Sequence, residues 1–246
     1  MHKMGLTSVT FRQLPAEDIV TLCAACGGEG IEWGGDVHVP QGDLENAARI
    51  KALTEAAGLQ VFSYGSYYRL CTETDFAEVL STAEVLGAPM IRVWAGALSS
   101  LQASADYAER AADELRAICA AAKERGIAIG LEYHRGTLTD TAESTLSLLK
   151  GASCPNLFTY WQPNPDLSQA ERLLEISCLL PYIRAVHTFY WTTGDVRRPL
   201  AEGLAEWQQY AAMLRDTDCP YILEFVQGDS AAQYEADAAA LRELLL

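Results

Sequence analysis

Four polar residues suited to metal binding and proton transfer follow four successive apolar segments of the sequence. They are Glu132, Gln162, His187 and Glu224. Two carboxylates, an imidazole and an amide oxygen form a mixed oxygen and nitrogen set that suits Mn²⁺, Mg²⁺, Co²⁺ or Zn²⁺ and contains no thiolate. If the fold brings these side chains together, they predict a divalent metal site that can hold adjacent oxygen atoms of a substrate.

The two carboxylates also predict acid and base chemistry. Glu132 and Glu224 lie in well separated segments, so they can face opposite sides of a bound carbon atom and act as general base and general acid. With a metal ion, such a pair suits proton transfer next to a carbonyl group. A second interpretation is structural, because a carboxylate in an apolar segment needs a cation, and Arg92 can supply one without any catalysis.

Eight short apolar segments alternate with eight longer amphipathic segments along the chain. The nearly continuous apolar character of the short segments is typical of parallel strands covered on both faces. We predict strands over residues 6–10, 30–33, 59–64, 89–94, 127–133, 157–161, 183–188 and 221–226, and helices over 15–26, 43–57, 73–86, 103–125, 141–150, 168–179, 203–215 and 231–245. Eight units in 246 residues give about 31 residues each, the size of a βα unit.

This repeated unit favours an α/β fold, a single-domain (β/α)₈ TIM barrel over residues 1–246. A doubly wound open sheet normally has a glycine-rich phosphate loop after its first strand, and residues 7–12 contain no glycine. Functional residues of such a barrel lie at the carboxyl-terminal ends of the strands. Glu32, Tyr64 and Arg92 occupy these ends on the earlier strands, and the four residues above occupy them on the later ones.

The composition excludes several classes of partner. The chain has 33 acidic and 18 basic side chains and a formal net charge of −15, so it lacks the cationic surface that binds nucleic acid or an anionic membrane. Seven scattered cysteines, with no apolar leader or membrane-length segment, lead us to expect a cytoplasmic protein. The sequence leaves open whether the protein forms a homo-oligomer.

Six short motifs resemble those of one enzyme superfamily. They are GIEWGGDVH at 30–38, RVWAG at 92–96, LEYH at 131–134, AVH at 185–187, PLAEG at 199–203 with Trp207, and LEFV at 223–226. In order and spacing the chain resembles the xylose-isomerase-like TIM-barrel superfamily of sugar isomerases and epimerases, which also includes inosose dehydratases and AP endonucleases. The resemblance implies a divalent metal, Mn²⁺ before Mg²⁺, Co²⁺ or Zn²⁺, held by Glu132, a residue of the sixth strand, His187 and Glu224. It also implies that the two glutamates are the acid/base pair.

The sixth strand departs from the pattern of this superfamily. Members with an active metal usually have Asp there, commonly followed by His three residues later, whereas this chain has Gln162 and then Pro165. Gln binds a metal through its carbonyl oxygen but brings no negative charge, so we expect weaker metal binding. Asp166 is the alternative ligand if the loop folds back.

Five residues are predicted to contact a substrate, namely His38, Arg92, His134, Trp161 and Arg198. His134 lies two residues after Glu132 and therefore on the same face, and His38 follows the second strand. Trp161 offers an aromatic face to a sugar ring, although packing between barrel and helices accounts for it equally well. Arg198 can bind a carboxylate or phosphate, and its alternative is a solvated loop position.

Together these features predict a metal-dependent isomerase or epimerase acting on a small sugar, keto-sugar or polyol. A lyase or dehydratase acting on a keto-sugar, keto-inositol or oxidised glycoside is the alternative enzyme, because only the protonated atom differs. A non-catalytic carbohydrate-binding barrel with a degenerate metal site is a third interpretation, suggested by Gln162. The acidic charge and only four histidines argue against a DNA-repair enzyme with several metal ions.

Overall fold

A closed barrel of eight parallel strands, surrounded by eight helices, forms the part of the chain that the computed structural model describes, residues 2–72 and 74–246. The barrel strands are β1 (Met4–Thr7), β2 (Gly30–Gly34), β3 (Gln60–Arg69), β4 (Met90–Trp94), β5 (Ala128–Leu131), β6 (Leu157–Trp161), β7 (Ile183–Thr188) and β10 (Tyr221–Leu223). Consecutive barrel strands pair in parallel, and β10 closes the barrel against β1. The predicted (β/α)₈ fold is therefore confirmed.

The helices lie between the strands and begin close to where the sequence predicts them. They are α1 (Ala16–Ala25), α2 (Leu44–Ala56), α3 (Phe76–Leu86), α4 (Ala105–Glu124), α5 (Ala142–Ala152), α6 (Gln169–Leu179), α7 (Leu204–Leu214) and α8 (Ala231–Leu245). Glu73, the first residue of the predicted third helix, lies outside the described residues, and α3 begins after its N-cap Asp75. Within the described ranges, no helix is both long and apolar enough to cross a membrane.

Apolar side chains fill the interior of the barrel below the carboxyl-terminal ends of the strands. This cluster, which we call the apolar plug, consists of Phe62, Met90, Tyr160, Ala185 and Ile222. Gly5 and Gly30 leave room for the ring of Phe62. A Cβ atom at Gly5 would lie 2.6 Å from the Phe62 ring, and one at Gly30 would lie 2.3 Å from it.

A buried polar layer lies directly above the plug, toward the carboxyl ends of the strands. Side chains along a strand alternate between two faces, so a residue two positions after an inward-facing one also faces inward. Five pairs follow this rule, namely Gly30 with Glu32, Met90 with Arg92, Tyr160 with Gln162, Ala185 with His187 and Ile222 with Glu224. The alternation of the strands thus brings charged residues into the barrel mouth.

An antiparallel hairpin follows β7 and is not among the strands predicted from the sequence. It consists of β8 (Tyr190–Thr192) and β9 (Val196–Arg198). Trp191 on β8 packs against Phe189 and Phe225, with ring centroids 4.6 and 6.0 Å away. Arg197 on β9 forms an ion pair with Asp229. The hairpin therefore forms part of the wall around the barrel mouth.

Candidate active site

A cavity of about 340 Å³ opens at the carboxyl-terminal end of the barrel. Glu132, Gln162, Glu224 and Arg92 of the polar layer reach it. Aromatic side chains supply much of its wall, namely Tyr67, Trp94, Tyr133, Phe189, Trp191 and Phe225. A few convergent polar groups among apolar walls are typical of a site for a small molecule.

Arg92 is the buried cation of this polar layer. Its Nη1 donates a hydrogen bond to Oε2 of Glu132 at 2.6 Å, and its Nε lies 3.5 Å from Oε1 of Glu32. Burial opposes the charge of the guanidinium, but Glu132 and Glu32 together hold the pKa of Arg92 above its ordinary value. The ionic network considered as a structural alternative from the sequence is therefore present, and it includes one of the two predicted catalytic carboxylates.

Glu32 is the member of the network whose importance sequence reasoning missed. It is 0% exposed. Burial would raise the pKa of its carboxyl group, yet the charges of Arg92 and His187 hold that pKa well below its usual range. The sequence feature that could have indicated its role is its position between Ile31 and Trp33, because a carboxylate within a buried strand must have polar partners.

Two of the other predicted metal ligands, Gln162 and Glu224, lie beside His187. Its Nδ1 lies 3.1 Å from Oε1 of Gln162 and 3.4 Å from Oε2 of Glu224. The amide nitrogen of Gln162 donates to the carbonyl oxygen of Tyr133 at 2.8 Å, which turns the amide oxygen toward the histidine. The other ring nitrogen of His187, Nε2, lies 3.2 Å from Oε1 of Glu32.

This donor set fits a divalent cation. When His187 is neutral and its Nε2 donates to Glu32, Nδ1 is an acceptor, and three acceptor atoms from His187, Gln162 and Glu224 then face one another, an arrangement that a bound cation would satisfy. Adjacent ligands of an octahedral metal lie about 3 Å apart, which matches these separations. Over residues 2–72 and 74–246, no group of three His, Cys, Asp or Glu side chains is placed to hold a metal ion. In the candidate site the third donor is the amide of Gln162, and Glu132 is turned toward Arg92.

The two candidate acid/base residues have unlike surroundings. Glu132 accepts the short hydrogen bond from Arg92, whereas Glu224 borders the imidazole of His187. Burial raises the pKa of Glu224 above its usual range, with His187 opposing and Glu132 adding to this rise. For His187, burial lowers the pKa, but the neighbouring Glu224 and Glu32 carboxylates bring it above its ordinary value.

His134 and Arg135 line the mouth of the cavity on the loop after β5. The ring of His134 lies 4.8 Å from that of Trp94. Arg135 forms ion pairs of 2.7 Å with Asp166 and 2.6 Å with Asp195, and so links three loops. Asp166, the alternative metal ligand considered from the sequence, is therefore paired with an arginine at the exposed rim.

Three of the predicted substrate contacts lie away from the cavity wall. Nε2 of His38 lies 3.1 Å from the carbonyl oxygen of Leu14. Trp161 faces outward and packs 5.2 Å from Tyr210, since adjacent residues on a strand face opposite sides and Gln162 faces inward. Arg198 forms an ion pair with Glu202 on the short helical turn that follows β9. Packing and surface pairing, rather than a place in the cavity, account for all three positions.

Residues 20–244 match the family described as "Xylose isomerase-like TIM barrel". The chain belongs to this family. The match covers most of the sequence, so the resemblance inferred from the six motifs is confirmed.

Relatives with this fold include a dehydratase and epimerases. A 3-dehydroshikimate dehydratase of Bacillus anthracis is 25% identical over 251 residues, with 88% of each chain covered. The crystal structure of a probable 3-DHS dehydratase from Bacillus anthracis, involved in petrobactin synthesis, superposes with a TM-score of 0.84 at 22% identity over 98% of each chain. The structure of 3-keto-D-glucoside 4-epimerase from E. coli has a TM-score of 0.74 at 15% identity over 99% of each chain.

Proposed function

We propose that this member of the xylose isomerase-like family is a metal-dependent dehydratase, a lyase that removes water from a small, ring-shaped hydroxy ketone. The observation that carries the proposal is the unlike pairing of the two carboxyl groups at one cavity. Glu132 accepts a hydrogen bond from Arg92 at 2.6 Å, whereas Glu224 lies beside His187. A reaction that runs in one direction suits one dedicated base and one dedicated acid.

Gln162, His187 and Glu224 are the proposed holders of a divalent cation, Mn²⁺ first, with Mg²⁺, Co²⁺ and Zn²⁺ as alternatives. When bound, this cation supplies a Lewis acid that polarises the carbonyl group of the substrate. Arg92 holds Oε2 of Glu132, so Oε1 is the atom that Glu132 offers as a fourth ligand or for proton transfer. Because Gln162 carries no charge, it holds the cation more weakly than a carboxylate would.

The proposed proton transfers use the two glutamates in fixed roles. Glu132, held by the hydrogen bond from Arg92, removes the proton from the carbon next to the carbonyl group. The electrons of that C–H bond form a carbon–carbon double bond while the C–O bond of the adjacent hydroxyl group breaks. Glu224, which would hold the cation through Oε2 beside His187, gives a proton from its other carboxyl oxygen to the departing oxygen, which leaves as water. Proton exchange with solvent restores both carboxyl groups, and the reaction consumes no oxidant or reductant.

The walls of the cavity favour a ring over an open chain. Trp94, Phe189, Trp191 and Phe225 present flat apolar surfaces to the space next to Glu132. Such surfaces suit the faces of a carbocycle or a sugar ring. The related dehydratase is named for 3-dehydroshikimate, which is therefore the first compound to test.

The second candidate function is an isomerase or epimerase acting on a small sugar or keto-sugar. It is favoured by the origin of the two glutamates, which follow β5 and β10, strands separated by two others in the barrel. This separation allows the two carboxyl groups to face opposite sides of one carbon atom, as epimerisation requires. The proton taken by one glutamate would then be replaced by the other on the same carbon.

Incubation of the Mn²⁺-loaded protein in D₂O with 3-dehydroshikimate and with a panel of keto-sugars separates these functions. A dehydratase yields a product lighter by one water molecule. An epimerase yields a product of unchanged formula that carries solvent deuterium at the reacting carbon. Glu132→Gln serves as the control for both assays, because it lacks the proposed base and should form neither product. Failure to form either product across the panel, with Mn²⁺ bound, would count for the carbohydrate-binding interpretation.

A further inference from the structure

We propose that Glu32 is a positioning residue that orients both His187 for metal binding and Arg92 for contact with the catalytic base. The inference rests on the metal site of the proposed function and adds a residue that lies outside the cavity wall. Glu32 touches neither the cation nor the substrate. It acts through the two side chains that its carboxylate holds.

Both carboxylate oxygens of Glu32 have polar partners. Its Oε1 accepts from the hydroxyl of Thr7 at 3.3 Å and lies 3.2 Å from Nε2 of His187. Its Oε2 accepts from the hydroxyl of Ser63 at 2.7 Å. The guanidinium of Arg92 approaches Oε1 at 3.5 Å. Three hydrogen-bond contacts and the charge of Arg92, from side chains of four strands, thus hold one buried carboxylate.

This position determines which nitrogen of His187 is available to a metal. An ionised carboxylate only accepts hydrogen bonds, so Nε2 must be the nitrogen that carries the proton. In the neutral ring that binds a metal, Nδ1 then presents its lone pair toward Gln162 and Glu224. A carboxylate behind a metal-binding histidine fixes the tautomer and the ring orientation, and its loss usually weakens metal binding 10- to 100-fold.

The same carboxylate connects the metal side of the site to the base. Arg92 lies between Glu32 and Glu132, with its Nε toward the first and its Nη1 on the second. Glu32 therefore limits the directions in which the guanidinium can turn. Without it, Arg92 is free to draw closer to Glu132 and Glu224 and to compete with a cation for their oxygen atoms.

A purely structural role makes a different prediction. If Glu32 only balances the charge of Arg92, its loss destabilises the fold without a selective effect on metal binding. The distinguishing measurement is therefore the affinity for Mn²⁺, measured by electron paramagnetic resonance on protein shown by circular dichroism to be folded. We expect Glu32→Gln to weaken Mn²⁺ binding by about 10- to 100-fold.

Ser63→Ala is the matched control, because it removes one hydrogen bond to Glu32 on the oxygen that faces away from His187. We expect its Mn²⁺ affinity to stay within about threefold of the wild type. Equal loss in both variants, or unchanged affinity in folded Glu32→Gln, would overturn the inference. A wild-type protein that binds no Mn²⁺ would instead overturn the metal site of the proposed function.

A measurement on the wild-type protein covers the case in which Glu32→Gln does not fold. In the Zn²⁺-loaded protein, nitrogen-15 NMR of the His187 ring should find the proton on Nε2 and none on Nδ1. A proton on Nδ1 would show that Glu32 does not set the tautomer. That result would refute the positioning role without bearing on which reaction the site performs.

Discussion

We expect Glu175 on α6 to make the folding stability depend on pH, and its replacement by Gln to remove this contribution. The side chain is 7% exposed and accepts a hydrogen bond from the hydroxyl of Tyr133 at 2.5 Å. Burial raises the pKa of Glu175 from 4.5 to about 7, against the opposing effects of Tyr133 and Trp161. Tyr133 also accepts the hydrogen bond that orients Gln162, so this group lies directly behind the candidate metal site.

The sign of the effect follows from proton binding. A carboxyl group whose pKa is raised in the folded state keeps its proton while the same group in the unfolded chain has lost it. Folding stability contributed by Glu175 therefore falls as pH rises from 4.5 to about 7. The difference between these two values corresponds to about 3 kcal/mol, which is an upper bound because water reaches part of the group.

Urea unfolding of wild type and Glu175→Gln between about pH 5 and about pH 8 measures this contribution. The amide oxygen of Gln can still accept from Tyr133, so the two proteins should have similar stability at the lower pH. At the higher pH the variant should be more stable, by up to about 3 kcal/mol. Glu109→Gln, an exposed site on α4, is the control and should change little with pH. A stability difference for Glu175→Gln that is independent of pH would refute the reasoning.

Four further variants test the site itself. Glu132→Gln and Glu224→Gln should each lower kcat by at least about 100-fold while circular dichroism stays unchanged, and near-normal turnover in either would exclude the two-carboxylate mechanism. Gln162→Asp should tighten Mn²⁺ binding in a direct titration, because it adds a negative charge, and an unchanged affinity would show that this position is not a ligand. Arg92→Met should lower the free energy of unfolding by about 3–5 kcal/mol, because Glu32 and Glu132 would remain buried without their cation. Denaturant titration measures that loss, and a fully stable variant would contradict the network.

The barrel was predictable because its signal is periodic. Apolar segments spaced by one βα unit indicate the eight strands, and seven of the eight predicted helices begin within two residues of the observed ones. The alternation of side chains also determines which residues face inward. That rule places Gln162 in the barrel mouth and Trp161 outside it, so the two could not both reach a substrate.

Other features carry no periodic signal. The hairpin of β8 and β9 is short and exposed, and its position depends on contacts such as those of Arg197 with Asp229 and Trp191. The locations of His38 and Arg198 depend on loop paths of the same kind. Glu32 lies on β2 and His187 on β7, five strands later in the chain, and only closure of the barrel brings them together. Tertiary contacts of this kind are absent from local sequence patterns.

The apolar plug closes the barrel beneath the candidate active site. Phe62, Met90, Tyr160 and Ile222 are buried below the charged residues, and the cavity that contains Glu132 and Glu224 opens at the carboxyl-terminal end. Substrate and product must then use the same mouth in turn. We expect the product to act as a competitive inhibitor of its own formation, and, in the proposed dehydration, the released water to depart past the product.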